Sequence, residues 1–403
     1  MTTTHDHDPF AAVPNGARHA ALAELARQGP LHRLVLPTTV PAWVITGYAE
    51  ARAALADPRL VKGGPDNAPY VAELEPETSA GLNHHMLTAD PPTHTRLRKL
   101  VSTAFTRRQV ERLAPGIETL CTSLLDDVAE RLAATGEADL MESLAHPLPL
   151  TVICDLLGIP EEAREDVRTW MRPLLAGGIF GFDTYAAAAR KMLAFTRDLV
   201  AEKRHTPADD LLSALVQARD GEDRLSEDEL TSMVQLLFIA GHDTTVSLIA
   251  NGALALLSDP AWTASLREDP GQWPGALEEL LRFDSPVQVA MPLTAAADVE
   301  IAGRTVPAGD VVIVSLLAAN RDPARFAGPA LLDLARDDGG HLAFGHGIHH
   351  CLGAPLARLE GRITLRALVE RFPGLRLATS PESLEREPAL LFNKLTSLPV
   401  RSS

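Results

Sequence analysis

Along most of this chain apolar side chains recur every three or four residues, the period of a helix that buries one face. The pattern predicts helices over 49–56, 93–105, 109–134, 150–157, 161–175, 185–203, 226–258, 273–283 and 352–372. Shorter apolar runs broken by Pro and Gly read as strands at 31–36 and 43–46, within 285–317, and near 390–400. No repeat and no Ser/Gly linker divides the chain. Strand-type segments at the start, at two-thirds and at the end fit a mainly α single domain over residues 1–403 with small peripheral β-sheets. Two Gly-rich stretches, 62–90 and 176–183, lack periodicity and read as loops, either lids over a binding site or plain surface connections.

Charge narrows the function classes. With 37 basic and 53 acidic residues the net charge is −16, against nucleic acid or an anionic membrane as the main partner. Residues 1–8 lack the basic and apolar regions of a signal peptide, and the longest uncharged apolar run, 311–319, is far below the roughly 20 residues of a membrane span. Three scattered cysteines, Cys121, Cys154 and Cys351, suit a reducing compartment, so the chain reads as cytoplasmic.

One cysteine stands in a special setting. Cys351 ends the glycine-rich run Phe344-Gly345-His-Gly347-Ile-His349-His350-Cys351-Leu-Gly353, just before a helix with Pro355 in its first turn. A sulfur at a helix N-terminus is favoured as thiolate, the form that ligates metal, and glycines let a flat cofactor approach the backbone. Zinc held by His349, His350 and Cys351, a nucleophilic thiol and an inert buried cysteine are the rival readings. Adjacent residues diverge and no second Cys/His pair has zinc spacing, which weighs against zinc.

This segment resembles the haem-binding signature of the cytochrome P450 monooxygenases, of the soluble bacterial, actinomycete type. The resemblance implies haem b (iron protoporphyrin IX) between a long distal helix and a proximal Cys-loop helix, with Cys351 as axial thiolate to the iron and Phe344 and Gly345 against the cofactor. Ala240-Gly241-His242-Asp243-Thr244-Thr245 interrupts an apolar helix whose start, Ser226-Glu-Asp-Glu229, is a capping box. Read alone, Asp243 and Thr244 are a cap where two helices meet. By resemblance Ala240 and Gly241 leave room above the iron, Thr244 hydrogen-bonds the oxygen being activated, and Asp243 gates proton delivery.

Further family marks follow in order. Glu279 and Arg282 share a helix face at i, i+3 and match the family's Glu-x-x-Arg, implied to be buried with Arg336 as the anchor of the cysteine loop. His94 and Arg98, otherwise a solvated basic face, are implied to bind the haem propionates together with His349. Many relatives place an arginine where this chain has Leu293. Val287, Val289, Met291, Leu293 and Phe392 are the implied substrate-pocket residues.

No flavin or nicotinamide fingerprint occurs, so electrons come from outside. Arg96, Lys99, Arg107, Arg108, Arg358 and Arg362 form basic stretches against the acidic background and suit an acidic ferredoxin served by a reductase. The expected function is insertion of one oxygen atom from O2 into an apolar or amphipathic small molecule, as in the tailoring of polyketides, macrolides, terpenes or steroids. The alternative is a haem-thiolate binding or sensing protein without turnover.

Overall fold

The computed structural model describes residues 10, 14–36, 40–63, 73–175, 181–220, 223–337 and 339–402. They group into two compact units, one of 1–61, 113–148 and 243–403, the other of 62–112 and 149–242.

The first unit contains the main sheet. Its five strands lie in the order Leu31–Val35, Pro41–Ile45, Val311–Val314, Leu293–Ala295 and Leu60–Val61, with one parallel pairing between the second and third. Alternation along the strands fills two cores. Trp43, Ile45, Val312 and Val314 enter one apolar cluster, while Ala42, Val44 and Ile313 enter another. Burial on both faces explains why 311–314 reads as an unbroken apolar run. A three-stranded sheet joins Glu137–Asp139 to Pro399–Arg401 and Arg376–Leu377. Helix Ala114–Thr135 buries Ile117, Cys121, Leu125, Val128 and Leu132, one face at three- and four-residue spacing, and packs on helix Ala354–Arg371.

The second unit is helical. Phe182–His205 packs on Arg164–Leu175, Pro76–Asn83 and Leu211–Gln217. Beneath this layer Lys203 and Asp210 form a buried ion pair at 2.6 Å, and Asp210 also caps its helix by accepting from the Ser213 N–H at 2.7 Å. Arg96, on helix Thr93–Ala104, pairs with Asp223 at 3.3 Å and with Glu229.

Local rules were overridden in places. The expected 109–134 helix is two helices, Arg107–Arg112 and Ala114–Thr135, because Pro115 brings no N–H to a continuous ladder and fits the first turn of a new helix. The expected loop 62–90 contains the helix Pro76–Asn83, too short and polar to show a period; 64–72 of that loop, and 176–180 of the other, lie outside the described residues. Helices Ala17–Arg27 and Pro260–Glu268 were not anticipated.

The longest helix, Glu227–Leu257, has 31 residues and a stretch of mean hydropathy 1.4, so by length and composition it is able to cross a membrane, contrary to the run-length reading. That stretch is 72% buried inside the protein, as in a core helix. Its capping box forms: Ser226 N–H donates to Glu229 at 2.9 Å and Glu229 N–H donates to the Ser226 hydroxyl at 3.2 Å.

Candidate active site

The cysteine loop is a sequence of backbone turns in the first unit. Gly345 N–H donates to Leu342 O at 2.8 Å, His350 N–H to Gly347 O at 3.1 Å, and Cys351 N–H to Phe344 O at 2.9 Å. Gly347 is obligatory twice over: its φ is +74°, and a Cβ there would lie 2.4 Å from the Leu55 carbonyl oxygen. Helix Ala354–Arg371 follows with Gly353 as N-cap and Pro355 in its first turn, so Cys351 stands just ahead of the positive helix end.

The three thiols differ in environment. Cys121 and Cys154 are buried, and burial pushes them up to about 11 and about 12, which makes them inert. Cys351 is exposed and interacts electrostatically with the Arg358 guanidinium, an arrangement that favours thiolate. Arg358 lies 4.3 Å over the Phe344 ring and donates twice to Glu278, at 2.7 Å each. Burial alone would raise the Glu278 carboxyl, but hydrogen bonds from Arg358 and His341 outweigh it and hold the pKa at about 2. Glu278 was not singled out in the sequence; its partners are 80 and 63 residues away and leave no local signal.

Glu279, Arg282 and Arg336 are brought together below the loop. Arg282 donates to both Glu279 oxygens at 2.7 Å, Arg336 lies 3.1 Å from the same carboxylate, and Asp333 N–H adds a bond at 2.9 Å. The remaining Arg282 donors reach the carbonyls of Asn320, Pro329 and Leu331 at 2.9, 3.0 and 3.1 Å. Asn320 in turn accepts from Leu342 N–H at 2.6 Å, which connects the ion cluster to the start of the cysteine loop.

On the long helix, Leu237, Ala240, Gly241 and Thr244 occupy one face and remain accessible, while His242, Asp243 and Thr245 are buried. Gly241 also has a packing reason, since a Cβ there would lie 2.9 Å from Ile153 Cδ1. Asp243 is in ion-pair range of Lys394 at 3.4 Å. In the second unit His94 and Arg98 sit one turn apart on Thr93–Ala104; burial, and then the Arg98 charge, push the His94 imidazole below its ordinary value.

The expected pocket segments meet in part. Val287 and Phe392 form an antiparallel bridge, reinforced by Gln288 N–H to Leu391 O at 2.8 Å and Asn393 N–H to Pro286 O at 2.9 Å. Val287 and Phe392 are half-buried, as is Met291, whereas Val289 and Leu293 are fully packed into the two apolar clusters of the main sheet. Among the basic residues, Arg96, Arg107 and Arg358 are committed to acids, Arg107 to Glu111 at 2.8 Å. For Arg96 and Arg358 the partners lie far along the chain, whereas Glu111 is a neighbour of Arg107 within the same basic run and their pair is exposed. Lys99, Arg108 and Arg362 are exposed.

Comparison with known proteins agrees with this geometry. The cytochrome P450 family profile matches residues 181–272 and 274–397. Cytochrome P450 monooxygenase PikC of Streptomyces venezuelae is 46% identical over 97% of this chain and 92% of its own length. The 6-deoxyerythronolide B hydroxylase of Saccharopolyspora erythraea is 43% identical over 89% of this chain and 90% of its own. The structure of the tirandamycin C-bound P450 monooxygenase TamI matches with a TM-score of 0.86 and 44% identity, covering 96% of this chain and 98% of that one. With its helical architecture and small sheets, this chain belongs to the cytochrome P450 family of haem-thiolate monooxygenases.

Proposed function

We propose that this enzyme inserts one oxygen atom from O2 into an apolar or amphipathic natural product, a polyketide or macrolide scaffold before a terpene or steroid, with electrons from a separate ferredoxin and reductase. The names of the relatives above support the substrate class. The observation that carries the reading is the accessible stripe of Ala240, Gly241 and Thr244 on a mostly buried helix, with the buried carboxylate of Asp243 beside it. A sensor has no use for an acid and an alcohol at adjacent positions of such a helix.

The residues fit haem b. Cys351 offers a sulfur at a helix N-terminus and the open backbone at Gly345 leaves the loop unobstructed; His349 on that loop, and His94 with Arg98 in the other unit, each carry donors of the kind that bind propionates. When bound, the haem activates O2. The chain does the rest: Cys351 would hold the iron, the hydroxyl of Thr244 would donate a hydrogen bond on the accessible face, and Asp243 would take up and release protons at its carboxylate. Val287, Met291 and Phe392 would contact the substrate by shape. The chain crosses between its two units four times, so neither is a contiguous segment, and we take all 403 residues as one functional domain. Three scattered cysteines suit a cytoplasmic enzyme.

Thr244→Ala tests the role of the hydroxyl. Product formed per NADH should fall roughly tenfold, a fraction of what proton-transfer groups contribute, with a matching rise in hydrogen peroxide. An unchanged ratio contradicts the assignment.

The ferredoxin surface is best tested at Arg362. It is exposed and shares its helix face with Arg358, whereas reversing Arg358 would also strip the cysteine loop of its Glu278 bond. Arg362→Glu should slow reduction by ferredoxin several-fold at low salt and much less at high salt, since an exposed charge acts on the encounter rate. A rate unchanged at both salts would remove Arg362 from the docking surface.

A further inference from the structure

The acid of the distal helix is itself held by a group from the far end of the chain. Lys394 Nζ donates towards Asp243 Oδ1 at 3.4 Å and lies 3.4 Å from Glu387 Oε1. The two acids are not equivalent partners. The side chains of Lys394 and Asp243 are 12% and 6% exposed, that of Glu387 45%, so solvent screens the outer pair much more than the inner one.

The segment carrying Lys394 is built to stay in place. Arg386 and Leu395 form an antiparallel bridge, and Glu387 N–H donates to Lys394 O at 2.9 Å, so Lys394 and Glu387 face each other across a small hairpin. Asn393, next to Lys394, has all its polar groups bonded. Its N–H reaches Pro286 O at 2.9 Å, and its carbonyl accepts from Asn251 at 2.9 Å and Arg386 at 3.0 Å. Its side-chain oxygen accepts from Arg18 at 3.1 Å, and its side-chain NH2 donates to Asp284 at 2.6 Å and Ser285 O at 3.1 Å.

Beneath the hairpin, Asp284 stays ionised through Arg386 at 2.6 Å, while burial and the Arg321 charge push His19, which hydrogen-bonds Asp284, down to about 4. Asn251 stands two helical turns beyond Asp243 on the same helix. The hairpin is therefore fastened to the distal helix at Asn251 and reaches back along it with Lys394.

We propose that Lys394 is a positioning residue for proton delivery: by pairing with Asp243 Oδ1 it fixes the orientation of that carboxylate, with Glu387 as the solvent-side end of the chain of charges. Phe392 lies on the same turn, so the hairpin that meets the substrate also sets the acid. This rests on the proton role of Asp243 proposed above.

The test uses the haem-loaded enzyme with ferredoxin, reductase, NADH and O2, without substrate, in H2O and D2O. Lys394→Met keeps the length of the side chain and removes the charge. It should slow O2 consumption roughly tenfold, less than the roughly hundredfold that a 1 Å misplacement of a reacting group can cost, and change the solvent isotope effect, with Lys394→Arg restoring both. In an Asp243→Asn background Lys394→Met should add nothing, and a urea-unfolding cycle over the same variants should show the two side chains coupled. A role confined to holding the fold would move the unfolding midpoint and leave the isotope effect unchanged, which overturns the proposal. So would additive effects in the two backgrounds. If Asp243→Asn itself leaves proton delivery unaltered, the underlying reading fails, and this proposal with it.

Discussion

Replacing Glu279 by alanine should leave a protein that folds poorly and takes up little haem. The carboxylate is 1% exposed, accepts from Arg282 twice and from the Asp333 N–H, and lies in ion-pair range of Arg336. Without it the buried Arg282 guanidinium loses the carboxylate it pairs with, and removing one partner of a buried pair costs about 3–5 kcal/mol. A typical domain has only about 5–15 kcal/mol in total, so the loss is a large share of the stability. The damage should centre on the cysteine loop, because Arg282 holds the carbonyls of Asn320, Pro329 and Leu331, and Asn320 holds Leu342. Glu279→Gln keeps the shape and an acceptor and should fall between the two. Thermal unfolding measures this: the alanine variant should melt about 4–6 °C lower. A midpoint within about 2 °C of the unaltered protein, with full haem content, would contradict it.

Cys351→Ser should act in the opposite manner, with fold retained and chemistry lost. Cys351 is exposed, and what fixes it is its backbone N–H to Phe344 O, which serine preserves. The sulfur is what changes. A thiolate pushes electron density onto iron, whereas serine is a weaker ligand with a far higher pKa and gains little from the helix end or from Arg358. Product formation should fall to background while the unfolding midpoint stays near that of the parent. Undiminished turnover would show that another group ligates the iron.

What could be read in the sequence was local. The Ser226–Glu229 capping box, the i, i+3 pair Glu279–Arg282, and the glycines before Cys351 each depend on residues a few positions apart, and spacing reveals them. The Leu113 break was missed because apolar periodicity continues through it and only Pro115 marks the new start. Long-range ionic pairing left no trace. Arg358 looked like a free surface charge until Glu278, 80 positions earlier, was seen to hold it. Lys394 finds Asp243 across 151 positions, and Arg386 finds Asp284 across 102. Such pairs follow from the packing of elements that no local period encodes. The burial of Val289 and Leu293 in the apolar clusters of the main sheet is of the same kind, since both depend on partners distant in the chain.

The sulfur of Cys351 is the centre of the proposed chemistry. Its most direct test is the difference spectrum of the reduced, haem-loaded protein with and without carbon monoxide. The unaltered chain should show the red-shifted Soret band of a thiolate-ligated haem, and Cys351→Ser should lose it while still binding haem. A histidine-like band in the unaltered protein, or a thiolate band that survives Cys351→Ser, would contradict the assignment.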